Sequence, residues 1–442
     1  MGTQSFEATP VTDRRPLYAL LAANAISLSG NQITQIAIPW YVLSSGGSGA
    51  DVGFVAIFAV LPIIISAFLG GLVIDRIGRK RSSIAADILS AISVTAIPLL
   101  HMTVGLAFWQ LLVLVFLGGL LDPPGATARQ SLLPDLIERS GLAPERVNSA
   151  YQSIQRLAQL IGPLVAGLLI AAIGASTVLW IDAATFIASA LLIARYTPNR
   201  AEQIHLSESY LRDFIDGIRF IWADRLLLWL AVTSAISSLL IEPTGSILMP
   251  VLAKDHFQSS RVLGFLFAAF GCGALLGAIA YGAVGTRFRR HPIYLGAHIL
   301  AGLPLLMIAF LPPVWVAMLL LFAFGAAAGP LNPILMTVRQ ERVPDHLRNR
   351  VFGTFSAIVW MAAPIGLLGG GLLLDAIGLR ATFLCVSLSF IALTISMLFS
   401  SSLREMDSHP PTPLLELGEG GSKNRVRARN RVRFCNERAI ER

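Results

Sequence analysis

The sequence predicts an all-α membrane protein: twelve transmembrane helices in two six-helix pseudo-repeats. Three observations carry that expectation. Hydrophobic residues form 55% of the 442 and charged residues only 14%, where a soluble chain usually carries about 25% charge. Twelve apolar stretches approach the roughly 20 residues that a hydrocarbon core of ~30 Å demands of one helix. Short matches also recur along the chain at a constant offset of 210 residues, the mark of an internal repeat.

The stretches cover residues 17–43, 52–74, 83–101, 106–123, 148–173, 177–195, 226–251, 262–285, 292–311, 314–332, 350–374 and 379–400. No strand-like alternation competes with them. The first is too long for the apolar core of a signal peptide and has no small-residue cleavage site behind it, so it is expected to be retained. Ala25-Ile26-Ser27 returns as Ala235-Ile236-Ser237, Arg129-Gln130 as Arg339-Gln340 and Pro134-Asp135 as Pro344-Asp345, all at the offset of 210. Beyond a loop six residues shorter, Arg146-Val147 matches Arg350-Val351 and Ala172-Ile173-Gly174 matches Ala376-Ile377-Gly378, at 204.

These matches divide the chain into an amino-terminal bundle over 1–195 and a carboxy-terminal bundle over 226–400. The longest connection, 196–225, joins them. In it Leu211, Phe214, Ile215, Ile218, Ile221 and Trp222 fall at helical spacing opposite Arg212, Asp213, Asp216 and Arg219. That pattern suits an amphipathic helix lying on the inner leaflet. The tail, 401–442, is hydrophilic, with eight basic residues from Lys423 onward, and is expected to be disordered and loosely attracted to lipid.

With the amino terminus inside, the cytoplasmic segments before the tail hold 21 Lys and Arg, and the outer loops hold three, Lys254, Arg261 and Arg380. That bias places both termini in the cytoplasm. It also reads the net charge of +8 as contact with lipid headgroups rather than with nucleic acid. Cys272 and Cys385 fall inside apolar stretches and Cys435 in the tail, without metal-ligand spacing, so packing is expected rather than a metal site or a disulfide frame. No phosphate-binding glycine loop, zinc spacing or paired serine and histidine within the spans points to an enzyme or an ATP-driven pump. No cofactor is expected, and a monomer is the default.

Between the second and third stretches lies Gly71-Leu-Val-Ile-Asp75-Arg76-Ile-Gly78-Arg79-Lys80-Arg81. A generic basic turn would explain its basic residues but not Asp75, Gly71 or Gly78. Inside the spans, polar residues are costly in lipid and should face the bundle interior or a wet cavity. In the fifth span Gln152, Gln155, Arg156, Gln159 and Pro163 fall within about 100° of one another. Arg156, the one basic residue expected inside a span, lies roughly 12 Å from the cytoplasmic end. It either bridges permanently to a neighbouring helix or lines a cavity and meets an anionic group.

The first span presents Asn24, Ser27, Asn31 and Gln35 on one face, within about 80°. Its repeat mate presents Ser234, Ser238 and Glu242, with the helix-breaking Pro243 behind the carboxylate. A carboxylate in a low-dielectric cavity can take a proton on one side of a membrane and release it on the other. Glu242 is therefore the leading candidate for proton coupling, a hydrogen-bonded hinge residue being the alternative. Asp182 is the runner-up. Asp87 and Asp122, near cytoplasmic ends, are expected to pair with loop arginines at a gate, with Asp87 a third candidate for protonation. Trp360, near mid-bilayer, offers with Phe355 and Met361 either an apolar surface for substrate or core packing. His298 is the one histidine away from loops, tail and helix ends, too few for a relay.

These residues carry a resemblance. The loop 71–81 is similar to the signature turn between the second and third helices of the major facilitator superfamily. Over residues 17–400 the chain resembles the bacterial drug-efflux branch that includes macrolide efflux proteins and the enterobactin exporter. The marks are Pro39-Trp40, the loop 71–81, Pro124 with Ala128-Arg129-Gln130-Ser-Leu-Leu-Pro134-Asp135-Leu136, Asn148-Ser-Ala, Gly162-Pro163 with Gly167, and Asp213 with Gly217-Ile-Arg219-Phe220.

The resemblance implies the major facilitator fold, with the substrate path between two parallel repeats. It implies that the 71–81 loop is a cytoplasmic gate latch, with Asp75 at the amino end of the eleventh helix, where the helix dipole favours a negative charge, and Arg79 beside a carboxylate. Gly162-Pro163 with Gly167 resembles the antiporter motif of exporters in abbreviated form, Gly167 standing one place late. The matching loop of the second half, Gly282 to Arg290, has no aspartate, so latching should be asymmetric. The implied function is export of an amphipathic, drug-like molecule across a bacterial cytoplasmic membrane in exchange for protons. The alternative is export of one metabolite such as a siderophore, with Arg156 and the glutamines as its anion site.

Overall fold

The computed structural model describes residues 13–198, 210–344 and 347–407, without the side chains of 67–75, 210–213, Thr286 and Asn349. The expectations for Gly71 and Asp75, for Leu211, Arg212 and Asp213, and for the tail from 408 onward, including Cys435, lie outside the described residues. No strand occurs among those described.

Six helices pack into one group: α1 (Arg15–Ser44), α2 (Gly49–Ile77), α3 (Arg79–Thr103), α4 (Phe108–Ser140), α5 (Pro144–Ile173) and α6 (Ala175–Tyr196). After α7 (Tyr210–Ala223) a second group follows: α8 (Arg225–Pro243), α9 (Met249–Val251), α10 (Ser260–Val284), α11 (Arg290–Ile308), α12 (Val314–Ala328), α13 (Leu331–Arg342), α14 (Arg348–Leu398) and α15 (Ser401–Arg404). In the first group α1 lies on α5 and α6, α3 on α4 and α6, and α2 on α4. In the second α8 lies on α14, α10 on α12, and α11 on α12 and α14. The groups meet along two seams, α5 with α10 and α2 with α14.

Local chemistry sets the helix ends. Pro16 and Pro144 open α1 and α5, where a missing N–H costs nothing. Gly141, at φ 64°, closes α4 in the left-handed conformation that glycine adopts freely. Asp224 caps α8 by accepting from the N–H groups of Leu226 (2.9 Å) and Leu227 (3.1 Å).

Among the described residues, ten helices are long and apolar enough to cross a membrane. The helix α1 is not among them, because Asn24, Ser27, Asn31, Gln32, Thr34 and Gln35 dilute its 30 residues. The 51 residues of α14 would extend about 77 Å if straight, more than twice a ~30 Å hydrocarbon core. They bend at Gly378, whose φ of 78° departs from the helix. The expected twelve spans therefore require α1 to cross as well and α14 to cross twice.

Lipid supplies no hydrophobic drive between helices, so close backbone packing takes its place. Gly273 and Gly277 on α10 face Gly325 on α12 and Gly329 just past its end, each pair spaced four apart. A Cβ at Gly273 would overlap the backbone oxygen of Phe322, and one at Gly325 that of Phe270. Backbone cannot swing aside as a side chain can. Gly273→Ala is expected to cost about 1–3 kcal/mol and to lower the thermal midpoint in detergent. Gly282→Ala, with nothing within 4 Å of its added carbon, should leave it unchanged.

The amphipathic α7 rides on α14. Gly217 abuts Thr354, Arg350 lies 3.3 Å from Asp216, Ile221 is buried and Trp222 is exposed. Residues 401–407, expected to be disordered with the rest of the tail, instead dock under the second group, because Leu403 and Met406 find apolar cover and are buried. Asp407 caps α11 by accepting from the N–H groups of Arg290 (2.7 Å) and His291 (3.3 Å). Arg342 ties Asp224 to Glu405, at 3.2 Å each.

The fourth span is expected to end at 123, leaving Arg129 in a loop. The helix α4 instead continues to Ser140 through Pro123, Pro124 and Pro134, and Arg129 is inside it with no exposed surface.

Candidate functional site

A cavity of about 1330 Å³ lies between the two groups of helices. The seams shut it at the end remote from the chain termini: Gly49 and Ala50 of α2 meet Asp375 of α14, and Gly167 of α5 meets Ser260 and Gly264 of α10. Toward the termini its lining runs down to Ser149 and Pro123 on one side and Asn332 and Pro333 on the other. Most of the wall is apolar, with Phe186, Phe267, Phe270 and Phe324 contributing rings. Four charged side chains break it: Asp122, Asp182, Glu242 and Arg156.

Of the residues expected to line a cavity, Asn31, Gln35, Gln152, Arg156, Gln159, Pro163, Asp182 and Glu242 do so. Arg156 is exposed to it and makes no hydrogen bond or ion pair among the described residues, so the permanent-bridge reading finds no partner there. Glu242 is half-buried and equally unpartnered among them. The helix does not break at Pro243 but widens into two π-helical stretches, Thr244–Leu248 and Leu252–His256, a distortion common at functional sites.

Three expected cavity residues are elsewhere. Asn24 is buried behind the wall, where it accepts from the Tyr151 hydroxyl at 3.4 Å. Gln155 does not reach the lining. Trp360 points outward, 48% exposed, while Phe355 is buried beneath the Arg339 guanidinium at 4.6 Å. Helical spacing places a residue on a face; it does not say which of two packed faces is wet.

Behind the cavity a buried ion network runs through the first group. The Arg129 guanidinium donates to Asp87 at 2.7 Å and to Ser27 at 3.4 Å, and lies 3.9 Å from Asp122. Ser189 donates to the other Asp87 oxygen at 2.7 Å. Asp122 reaches the cavity and accepts from Asn31 at 2.8 Å. Asp182, at the wall but itself buried, accepts from Thr34 and, at 3.1 Å, from Thr185. Asp87 and Arg129 are 1% and 0% exposed, so Asp87 meets neither water nor cavity. Sequence reasoning missed Arg129. The repeat gives no signal, since Arg339 is also expected in a cytoplasmic segment; it too sits within a helix, over Phe352 and Phe355.

At the expected gating loop, Gly78 takes φ 91°, which glycine adopts without strain. Arg76 is exposed and Lys80 half-buried. Arg79 donates to the Ser131 carbonyl at 3.1 Å and lies 3.4 Å from Asp135. In the antiporter-like segment a Cβ at Gly162 would press on Gln32 of α1. One at Gly167 would come within 2.9 Å of the Gly264 Cα, so both glycines serve close helix crossings. His298, buried between Tyr294 and Phe390, bonds the Tyr294 carbonyl at 2.9 Å. Cys272 and Cys385 are free and exposed rather than packed inside. No cluster of three or more metal-ligating side chains occurs among the described residues.

A family model described as transmembrane secretion effector matches residues 11–428. The multidrug efflux pump Tap of Mycolicibacterium fortuitum is 36% identical over 402 residues, covering 90% of this chain and 98% of that protein. Macrolide efflux protein A of Streptococcus pyogenes is 22% identical over 395 residues, covering 88% of this chain and 97% of that one. A crystal structure of the nucleoside transporter NupG superposes with a TM-score of 0.70 at 12% identity, over 87% of this chain and 98% of that one. At that identity the likeness is one of fold alone.

Proposed function

The chain belongs to the transmembrane secretion effector family of the major facilitator superfamily, and on that premise we propose that it exports amphipathic, drug-like molecules by proton antiport. The observation that carries the reading is the cavity, where three carboxylates and one guanidinium stand among apolar and aromatic side chains. That balance favours a lipophilic cation, whose rings the phenylalanines receive and whose charge a carboxylate meets. The names of the relatives, a multidrug pump and a macrolide efflux protein, support export of such molecules.

The excess of Lys and Arg on the terminal side supports cytoplasmic termini in a bacterial inner membrane, so the seams shut the outer face and the cavity serves the cytoplasm. Substrate would bind between the two bundles, 1–195 and 226–400, which rock about it. Each proton moving inward contributes ~2.3 kcal/mol per 100 mV, which drives export uphill. Glu242, Asp122 and Asp182 are the groups placed to trade that proton for substrate. Asp87, sealed against Arg129, is left to hold the bundle together. The working unit is a monomer in contact with lipid, with no nucleic-acid partner.

A second reading rests on Arg156, which faces the cavity without a partner among the described residues: an anion site for one metabolite such as a catechol siderophore. Proteoliposomes with a lumenal pH dye and an imposed gradient separate the two. Discharge by several unrelated lipophilic cations or macrolides supports broad export; discharge by a catechol siderophore alone supports the second reading. Silence toward every compound contradicts both.

A further inference from the structure

The Asp375 carboxylate accepts two hydrogen bonds from another bundle, from the Gly49 N–H at 2.9 Å and the Ala50 N–H at 3.0 Å. These are the first donors of α2, the groups a helix leaves unpaired at its amino end, where a negative charge is favoured. The contact is built into the seam. A Cβ at Gly371 would come within 2.9 Å of the Gly49 oxygen and 3.1 Å of the Ala50 Cα, and one at Gly53 within 2.9 Å of the Leu367 oxygen. Glycines let the two backbones close until Asp375 reaches across.

The surrounding sequence is an echo of another. Gly371-Leu-Leu-Leu-Asp375-Ala-Ile-Gly378 repeats Gly71-Leu-Val-Ile-Asp75-Arg-Ile-Gly78, at an offset of 300 residues. Both segments end a helix at a glycine of the same rare conformation, φ 91° and ψ 148° at Gly78, φ 78° and ψ 170° at Gly378. A third copy, Gly167-Leu-Leu-Ile-Ala171-Ala-Ile-Gly174, has the glycine at φ 84° and ψ 155° but alanine in place of the acid. Inverted three-helix repeats within each half account for such copies on opposite faces. The acid is present in one copy at the terminal face and in one at the far face.

We propose that Asp375 is a gating residue for transport, a latch that holds the far face shut by capping α2 across the seam. The proposal uses the alternating-access reading above: the latch must open for the cavity to reach that face. Asp375→Asn replaces the carboxylate with a neutral amide, which offers one acceptor oxygen instead of two and is attracted less by the positive end of the helix. Because Asp375 is exposed, the expected effect is a change of about two- to fivefold in the ratio of open to closed forms.

Spin labels at Ser45→Cys and Arg261→Cys, both exposed near that face and one in each bundle, read the ratio from their distance distribution. The full chain would carry serine at Cys272, Cys385 and Cys435 and sit in nanodiscs without substrate. Asp375→Asn should add or enlarge a longer-distance population, and Asp375→Glu should keep the parent distribution. Ala50→Pro deletes one donor at a position where a helix tolerates proline and should lengthen distances in the same way. It decides the matter if Asp375→Asn folds poorly. Parental distributions in both Asp375→Asn and Ala50→Pro would overturn the latch. No substrate is used, so this outcome is independent of whether export by proton antiport holds.

Discussion

Arg129→Leu is expected to leave little folded protein in the membrane. The guanidinium has no exposed surface and sits 2.7 Å from Asp87, itself 1% exposed. Removing one partner of a buried pair strands the other charge and costs about 3–5 kcal/mol, a large share of the 5–15 kcal/mol that holds a domain folded. Ser189 alone would remain to solvate Asp87. Arg129→Lys keeps the charge but not the planar fork that also reaches Ser27, so an intermediate loss is expected. The double variant Arg129→Leu, Asp87→Leu removes both charges and should recover much of the yield. Its thermal midpoint and its fraction surviving detergent extraction check this. Transport should stay impaired even then, because Asp122 would have lost the cation 3.9 Å away.

How far all this could be read beforehand varies with the kind of residue. The helices were legible because apolar runs of about 20 residues have few other homes. The face of α5 that carries Gln152, Arg156 and Gln159 was legible because polar groups in lipid must turn inward. Arg129 was not, since three prolines around it mimic the end of a span, yet α4 carries on to Ser140. The outward turn of Trp360 was equally hidden, because an aromatic side chain is at home in lipid and in a core alike. The Asp375 contact joins residues more than 300 positions apart; the sequence shows the repeated motif but not which helix end it meets.

Glu242→Gln is expected to reduce gradient-driven export by about tenfold or more, the factor that 1.4 kcal/mol corresponds to, while folding is preserved. The side chain lines the cavity, is half-buried and has no partner among the described residues. An amide of the same shape therefore breaks no hydrogen bond among the described residues, yet it can no longer exchange a proton. Asp182→Asn is a useful contrast, because its carboxylate serves Thr34 and Thr185 and its loss should also lower the thermal midpoint. If Glu242→Gln exports at the parental rate, Glu242 is structural, and Asp122→Asn becomes the decisive variant.

Whether protons exchanged in this cavity drive export is decided by uptake into acid-loaded proteoliposomes of purified protein. A radiolabelled lipophilic cation is supplied outside, without ATP, and its lumenal concentration is followed before and after an ionophore collapses the gradient. Proton antiport predicts accumulation well above the outside concentration and its release when the ionophore is added. Uptake that merely equilibrates across the membrane, and is indifferent to the ionophore, would contradict it.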